Sequence, residues 1–411
     1  MKTAFLIGVI EDGEDTLDEL AALADTLGLE VVRKEAVKLR KFDAATYIGS
    51  GKAEEFAQFA VDVVIFDNNI TPNQQRNLEA IFNKPVMDRT ELILAVFAAR
   101  AETKEARLQV DLAAARYQLP RLRRLWTHLS RQAGGGGGGG GGGYTKGEGE
   151  KQIEIDRRLI KAEIERLRKQ LAEVAHHRAE QRKSRLRSNV PSAAIVGYTN
   201  AGKSTLLNAL TEAGVLAEDK LFATLDTTTR RFTLPNEQPL ILIDTVGFVR
   251  KLPHMLVAAF KSTLEETLFT DLLLHVVDVS HPDVIKQVDT TMEVLKELGA
   301  GDKPMIMLLN KVDRLENQGI VSMFRVKYPN AVAISATTGE GFDALFETIM
   351  KILANLRRTF HLRIPQSQFN LVSELIRVGS VHSMDYEDDD VIMHVEIPSM
   401  IEYKVLPFII S

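Results

Sequence analysis

Short apolar runs alternate with amphipathic helical stretches through the first hundred residues of this chain. Residues 4–10 and 63–66 read as buried strands, while 15–27 and 71–82 carry apolar side chains at helical spacing. That alternation predicts a small α/β domain with a parallel sheet over residues 1–100. The period then changes. Leu108, Leu112, Ala115 and Leu119 form one helical stripe, and Ile153, Ile160, Ile164, Leu167 and Leu171 form a facing one. Residues 102–131 and 150–187 are therefore expected to be two long helices, with Pro120 kinking or interrupting the first. Ten consecutive glycines, 134–143, lie between them. The pair should make an antiparallel hairpin with a mobile tip, spanning 101–188.

From residue 189 buried strands return, at 192–196, 240–243, 304–309 and 331–334, each running into a polar segment. The tail, 357–411, offers a strand at 360–364, a helix at 367–378 and strands near 381 and at 391–397, a small α+β domain. Asp388, Asp389 and Asp390 read as a solvated turn rather than a metal cluster. The histidines, including the His176–His177 pair, show no metal-ligand spacing and should face solvent.

The polar segments carry the candidate chemistry. Gly197-Tyr198-Thr199-Asn200-Ala201-Gly202-Lys203-Ser204-Thr205 reads GxxxxGKS between a strand and a helix opening at Leu206, the context of a P-loop. Its glycines let main-chain N–H groups curl around phosphate oxygens, and the helix N-terminus favours negative charge. Lys203 should reach the β- and γ-phosphates, with the Ser204 hydroxyl on Mg2+. Asp244-Thr245-Val246-Gly247 closes the next strand, where the Asp244 carboxylate suits the Mg2+ shell and the Gly247 N–H the γ-phosphate. Asn310-Lys311-Val312-Asp313 closes a third. An Asp313 carboxylate accepts two hydrogen bonds from guanine that adenine cannot give, and a polar site missing its partner rejects the wrong base strongly. Asn310 and Lys311 should brace the loop, and Ser335-Ala336-Thr337 should back the base through main-chain N–H groups. The order and content of these segments predict GTP and GDP as ligands of a P-loop G domain over 189–356.

Two features of the hydrolytic apparatus are unusual. Phe248 stands where many GTPases place a water-orienting Gln, so either turnover is slow or another group orients the water. Asn200 either binds a monovalent cation such as K+ beside the phosphates or merely caps the loop. The segment Leu221-Phe222-Ala223-Thr224-Leu225-Asp226-Thr227-Thr228-Thr229 lies where a first switch belongs. One of its four threonines should contact Mg2+ and the γ-phosphate, and the residues do not say which.

Charge gives the hairpin a meaning. Residues 104–188 hold 20 Lys and Arg against 10 Asp and Glu, a net +10, while the whole chain sums to −5. Arg121, Arg123, Arg124 and Arg131, with Trp126 among them, make an expected RNA contact, since cations attract phosphate and aromatic planes stack on unpaired bases. Zero cysteines exclude disulfides and thiol catalysis. No apolar run approaches the ~20 residues of a membrane span, and the first ten residues lack signal-peptide architecture. The expectation is a soluble cytoplasmic monomer, with peripheral membrane association left open. Gly49-Ser50-Gly51-Lys52 lacks full P-loop spacing and reads as a helix entry.

The strings GYTNAGKST, LFATLD, DTVGFVRKLPH and NKVD, with Tyr47 to Lys52, Arg124 to Leu129 and Gln152 to Glu154 upstream, resemble the HflX branch of the Obg–HflX GTPases across nearly the whole chain. The family usually carries proline at the position of Thr227, and an RGPGET-like string at 146–151. The resemblance implies that Thr224 is the Mg2+-contacting switch residue, which joins Lys203, Gly247 and Asn200 as the expected catalytic residues. It further implies that the RNA partner is the large ribosomal subunit, docked in the GTP state to dissociate or rescue stalled ribosomes under stress. The alternative is a nucleotide-dependent RNA chaperone with ATPase activity in its amino-terminal domain.

Overall fold

The computed structural model describes residues 1–10, 17–39, 41–132, 145–187, 190–211, 221–222, 227–251, 253, 265–398 and 401–410. Within its helices and strands, side chains at 123–132, 145–153, 177–187, 356–357 and 398 lie outside the description. Two compact units result. The first holds residues up to Val174 together with Leu221, Phe222, Lys251 and Pro253; the second holds the remaining described residues.

In the first unit, β1 (Lys2–Val9), β2 (Leu29–Val37), β3 (Val63–Phe66) and β4 (Val86–Asp88) form a parallel sheet in the order β2-β1-β3-β4. The helices α1 (Leu17–Thr26), α2 (Ser50–Ala57), α3 (Pro72–Phe82) and α4 (Arg89–Arg100) alternate with the strands. Thr71 starts α3 with a capping box: its hydroxyl accepts from the Gln74 N–H while the Gln74 side chain accepts from the Thr71 N–H. Parallel strands buried on both faces read as continuous apolar runs, which is why β1 and β3 stood out. The edge strand β2 did not, because most of its side chains are exposed or half-exposed.

Helices α5 (Lys104–Gln132) and α6 (Thr145–Arg187) follow. Leu108, Leu112, Ala115, Ile164 and Leu167 are buried together with Leu119, Ile160 and Leu171 packed around them, the two predicted stripes in contact. Ile153 lies outside the described side chains. Of the two expected effects of Pro120, interruption does not occur, because α5 continues through it. Just before and after the proline, Tyr117 and Arg121 are fastened to Asp88 at 2.9 and 2.8 Å, so tertiary contacts outweigh the lost helix hydrogen bond.

The second unit contains a six-stranded sheet, β10-β9-β8-β5-β7-β6, from β5 (Ser192–Gly197), β6 (Thr228–Thr233), β7 (Pro239–Asp244), β8 (Leu272–Asp278), β9 (Met305–Asn310) and β10 (Ala331–Ala333). Only β6 pairs antiparallel. The chain leaves β5 to build one side of the sheet and crosses back to build the other, so the strand order reverses at β5/β8, where doubly wound sheets hold ligands. A three-stranded antiparallel sheet follows, with β13 (Asp390–Pro398) between β11 (Arg357–Pro365) and β12 (Ser380–Glu387). The helix Phe369–Val378 buries Val372 and Leu375 against Leu362, Ile364, Met393 and Val395. Asp388 and Asp389 form the β12–β13 turn, and Arg363 pairs with Glu387 at 2.6 Å and Asp390 at 3.8 Å.

Candidate active site

Parallel register aligns the strand ends. Ile195 lies beside Asp244, Gly197 beside Val276 and Asp278 beside Asn310, so the predicted motifs emerge along one carboxyl edge of the sheet. The loop 197–202 then curls into helix α7 (Lys203–Thr211). Only glycine fits its two ends. At Gly197 (φ +149°) a Cβ would lie 2.3 Å from the Val276 carbonyl oxygen, and at Gly202 (φ +99°) it would lie 2.3 Å from Asn310 Nδ2. Asn200, at φ +61°, turns the loop between them and is exposed.

Inside the curl, Lys203 is buried and its Nζ donates to the Tyr198 carbonyl at 2.7 Å. Burial pulls its ammonium down to about 8, with Asp244 opposing the shift. A buried cation in contact with one carbonyl is poised to exchange that partner for an anion. The Thr199 hydroxyl beside it is buried and has no hydrogen-bond partner among the described residues. Main-chain bonds hold this loop to the segment after Asp244: the Thr199 N–H donates to the Phe248 carbonyl at 2.7 Å, and the Phe248 N–H donates to Gly197 at 3.1 Å. The Arg250 N–H donates to the Tyr198 hydroxyl at 2.8 Å. Gly247 lies so near that a Cβ there would come within 2.8 Å of Lys203 Nζ. The Phe248 ring is buried, and its chemistry offers water no hydrogen bond.

Ser204 Oγ donates to Asp244 Oδ2 at 2.9 Å, and Asp244 is fully buried. A hydroxyl and a carboxylate at that separation are the hard oxygen donors that Mg2+ takes. Thr245 braces the strand end through a 2.7 Å bond to the Ile195 carbonyl, and Val246 is buried.

The third and fourth motifs are joined to the first. Asn310, buried, donates through Nδ2 to the Ala201 carbonyl at 2.8 Å and accepts the Ala336 N–H at 2.9 Å. Lys311, at φ +66°, reaches the Asn200 carbonyl at 2.9 Å and the Asp278 carboxylate at 2.7 Å. Val312 and Asp313 form a short 3-10 turn, on which the Asp313 side chain is exposed and available to a base. Buried Ser335 accepts the Thr338 N–H at 3.2 Å, and Thr337 is exposed. Thr205 is half-buried on the first turn of α7.

Phe222 is buried at φ +55° and packs edge-on against Phe97 in the first unit, centroids 4.5 Å apart. Ala223, Thr224, Leu225 and Asp226, and the side chains of Arg123, Arg124, Trp126 and Arg131, lie outside the described residues. Arg121 is not a free surface cation: it pairs with Asp88 at 2.8 Å, donates to the Ile70 carbonyl at 3.2 Å and stacks over the Tyr117 ring. Burial nevertheless raises the Asp88 pKa, with Arg121 opposing. Lys52 pairs with Glu55 at 3.0 Å in the helix that Gly49 enters at φ +87°.

Two residues were missed. Asp278, which anchors Lys311, ends an apolar strand just as Asp244 does, a usable signal. His275 is buried in β8, and its Nδ1 has no partner among the described residues; burial, reinforced by the Lys203 charge, lowers its pKa to about 3. A single polar residue inside an apolar run gives no such signal.

Four family descriptions match in succession: GTP-binding GTPase N-terminal over 14–98, GTP-binding GTPase middle region over 100–185, 50S ribosome-binding GTPase over 192–311, and HflX C-terminal domain over 323–402. A GTPase HflX of Chlamydia pneumoniae is 48% identical, covering 96% of this chain and 84% of its own length. One from Escherichia coli (strain K12) is 40% identical over 92% and 88%. The crystal structure of SsGBP with GDP matches 87% of this chain and 99% of its own, at 26% identity and a TM-score of 0.51. With identity of that order running from the first sheet to the last, the chain belongs to the HflX family of GTPases and is a GTP-hydrolysing enzyme.

Proposed function

We propose that GTP binds along the carboxyl edge of the six-stranded sheet and that its γ-phosphate governs docking of the basic arm on the large ribosomal subunit. In this reading residues 197–205 cradle the phosphates, and the Lys203 ammonium leaves the Tyr198 carbonyl for the β- and γ-phosphate oxygens. The Gly247 N–H holds the γ-phosphate. Asp313 accepts from guanine, with Lys311, Ser335, Ala336 and Thr337 walling the base. The family generally uses Mg2+; Ser204, Asp244 and Thr224 would hold it, and when bound it neutralises charge developing on the transferred phosphoryl group.

Phe248 offers the attacking water nothing, so the chain relies on charge and main-chain donors rather than a water-orienting side chain. K+ held beside Asn200 would add positive charge where the transition state gathers negative charge. Equal turnover in KCl and NaCl removes that ion from the scheme.

The observation that carries the ribosomal reading is charge segregation: +10 sits on residues 104–188 of a chain that is −5 overall. The segment 192–311 also matches a domain described as a 50S ribosome-binding GTPase. Such an arm binds rRNA phosphate, and the result in cells is dissociation or rescue of stalled ribosomes. Co-sedimentation with purified large subunits under GDP, GTP and a non-hydrolysable GTP analogue tests this. Pelleting should require the triphosphate and fall steeply with salt. Pelleting that ignores the nucleotide overturns the switch.

A further inference from the structure

Three imidazoles meet on the open side of the C-terminal sheet. Antiparallel pairing sets His361 of β11 directly opposite His394 of β13, and their rings stack with centroids 4.0 Å apart and planes 12° apart. On the other flank of β13 the register slips between Val381 and Ser383. The residue inside that irregularity, His382, lies 5.0 Å from His394 at an interplanar angle of 44°. The other face carries Leu362, Met393 and Val395, all fully buried in the core with the helix Phe369–Val378. The histidines therefore take no part in the core: His361 and His382 are exposed and His394 is half-buried.

We propose that His361, His382 and His394 form a binding site for a late first-row divalent cation of the Zn2+ or Ni2+ type. Imidazole nitrogen is the donor such ions prefer, whereas Mg2+ and Ca2+ seek oxygen. Residues directly opposite on antiparallel strands have Cβ atoms about 4.5–5.5 Å apart, close enough for two rings to reach one ion at about 2.0–2.1 Å. Among the described residues no group of three such donors could hold a metal ion as the side chains stand. Ligation therefore opens the stack by side-chain rotation, which two solvent-exposed rings permit without disturbing the backbone register. The cation on the same strand face, Arg363, is neutralised by Glu387 and Asp390 and leaves the imidazoles as the available donors.

The test is calorimetric titration of the nucleotide-free full chain with ZnCl2, and separately NiCl2, in a non-coordinating buffer. One equivalent should bind. His394→Ala should abolish binding, and His361→Gln and His382→Gln should each weaken it at least about tenfold, the lower end of what even outer-shell losses cost a metal site. His176→Gln, in the helical pair, should change nothing. GDP binding by each variant reports that the chain is folded. Failure of the parent to bind either ion overturns the proposal, as does binding by His394→Ala and His361→Gln that matches the parent.

Discussion

Asn310 offers the sharpest test of how the site is held together. Its buried amide gives one hydrogen bond to the phosphate loop, at Ala201, and takes one from the loop behind the base, at Ala336. Asn310→Ala removes both and leaves a carbonyl and an N–H buried without partners. Each such group costs about 1–3 kcal/mol. Relaxation and entering water reduce the sum, so a net loss of roughly 2–4 kcal/mol is expected, or about 30- to 700-fold in affinity. If the two loops stay ordered without nucleotide, the loss lowers the melting temperature of the free protein; if nucleotide draws them together, it appears in the dissociation constant. Displacement of a fluorescent GDP analogue, run beside calorimetry of the nucleotide-free chain, reads both. Asn310→Asp should do no better, because it keeps the acceptor for Ala336 but sets two oxygens against each other at Ala201. A variant with nucleotide affinity within threefold of the parent and an unmoved melting temperature would refute the bracing role.

Asp313→Asn replaces a double acceptor with a group that presents a donor to guanine. Charge-assisted bonds contribute about 1.5–3 kcal/mol each, so GTP affinity should fall by at least about 100-fold, and parent-like competition by GTP sinks the base assignment. His275 predicts acid sensitivity. Its folded-state pKa of about 3 lies below its ordinary 6.5, so the unfolded chain takes a proton that the folded chain refuses. Stability is then full above pH 6.5 and declines as pH falls towards 3, by roughly 1.4 kcal/mol per unit. His275→Leu should flatten the denaturation midpoint between pH 7.5 and 5; parallel profiles for parent and variant would contradict the assignment. Arg121→Ala strands buried Asp88 and should cost about 2–4 kcal/mol, somewhat less than a fully buried pair. Its mark is a lower melting temperature. Loss of RNA affinity with stability intact would instead return Arg121 to the surface role first expected of it.

The candidate-site residues stand out in the sequence because their signals are local. Gly197, Asp244 and Asn310 each end or follow a buried apolar strand, and strand ends facing the same edge of a doubly wound sheet converge without further information. The hairpin was legible for a related reason, since helical periodicity announces a seam whatever lies across it. Contacts with a distant partner leave no such mark. The sequence offers Arg121 as a cation for RNA, and its ion pair with Asp88, 33 residues away on another element, is invisible there. The continuity of the helix through Pro120 is hidden in the same way, its neighbours being anchored to that carboxylate. Sequence alone likewise does not group the strand histidines, although it places them at the surface, where His361 and His382 are exposed. Positions 361, 382 and 394 share no ligand spacing, and only the β11-β13-β12 order, with a register slip at His382, gathers them. Periodicity describes one element at a time, whereas pairing register is a property of two. A polar cluster spread over neighbouring strands therefore stays hidden until the strand order is known, and such clusters are where a chain of recognised family can carry chemistry of its own.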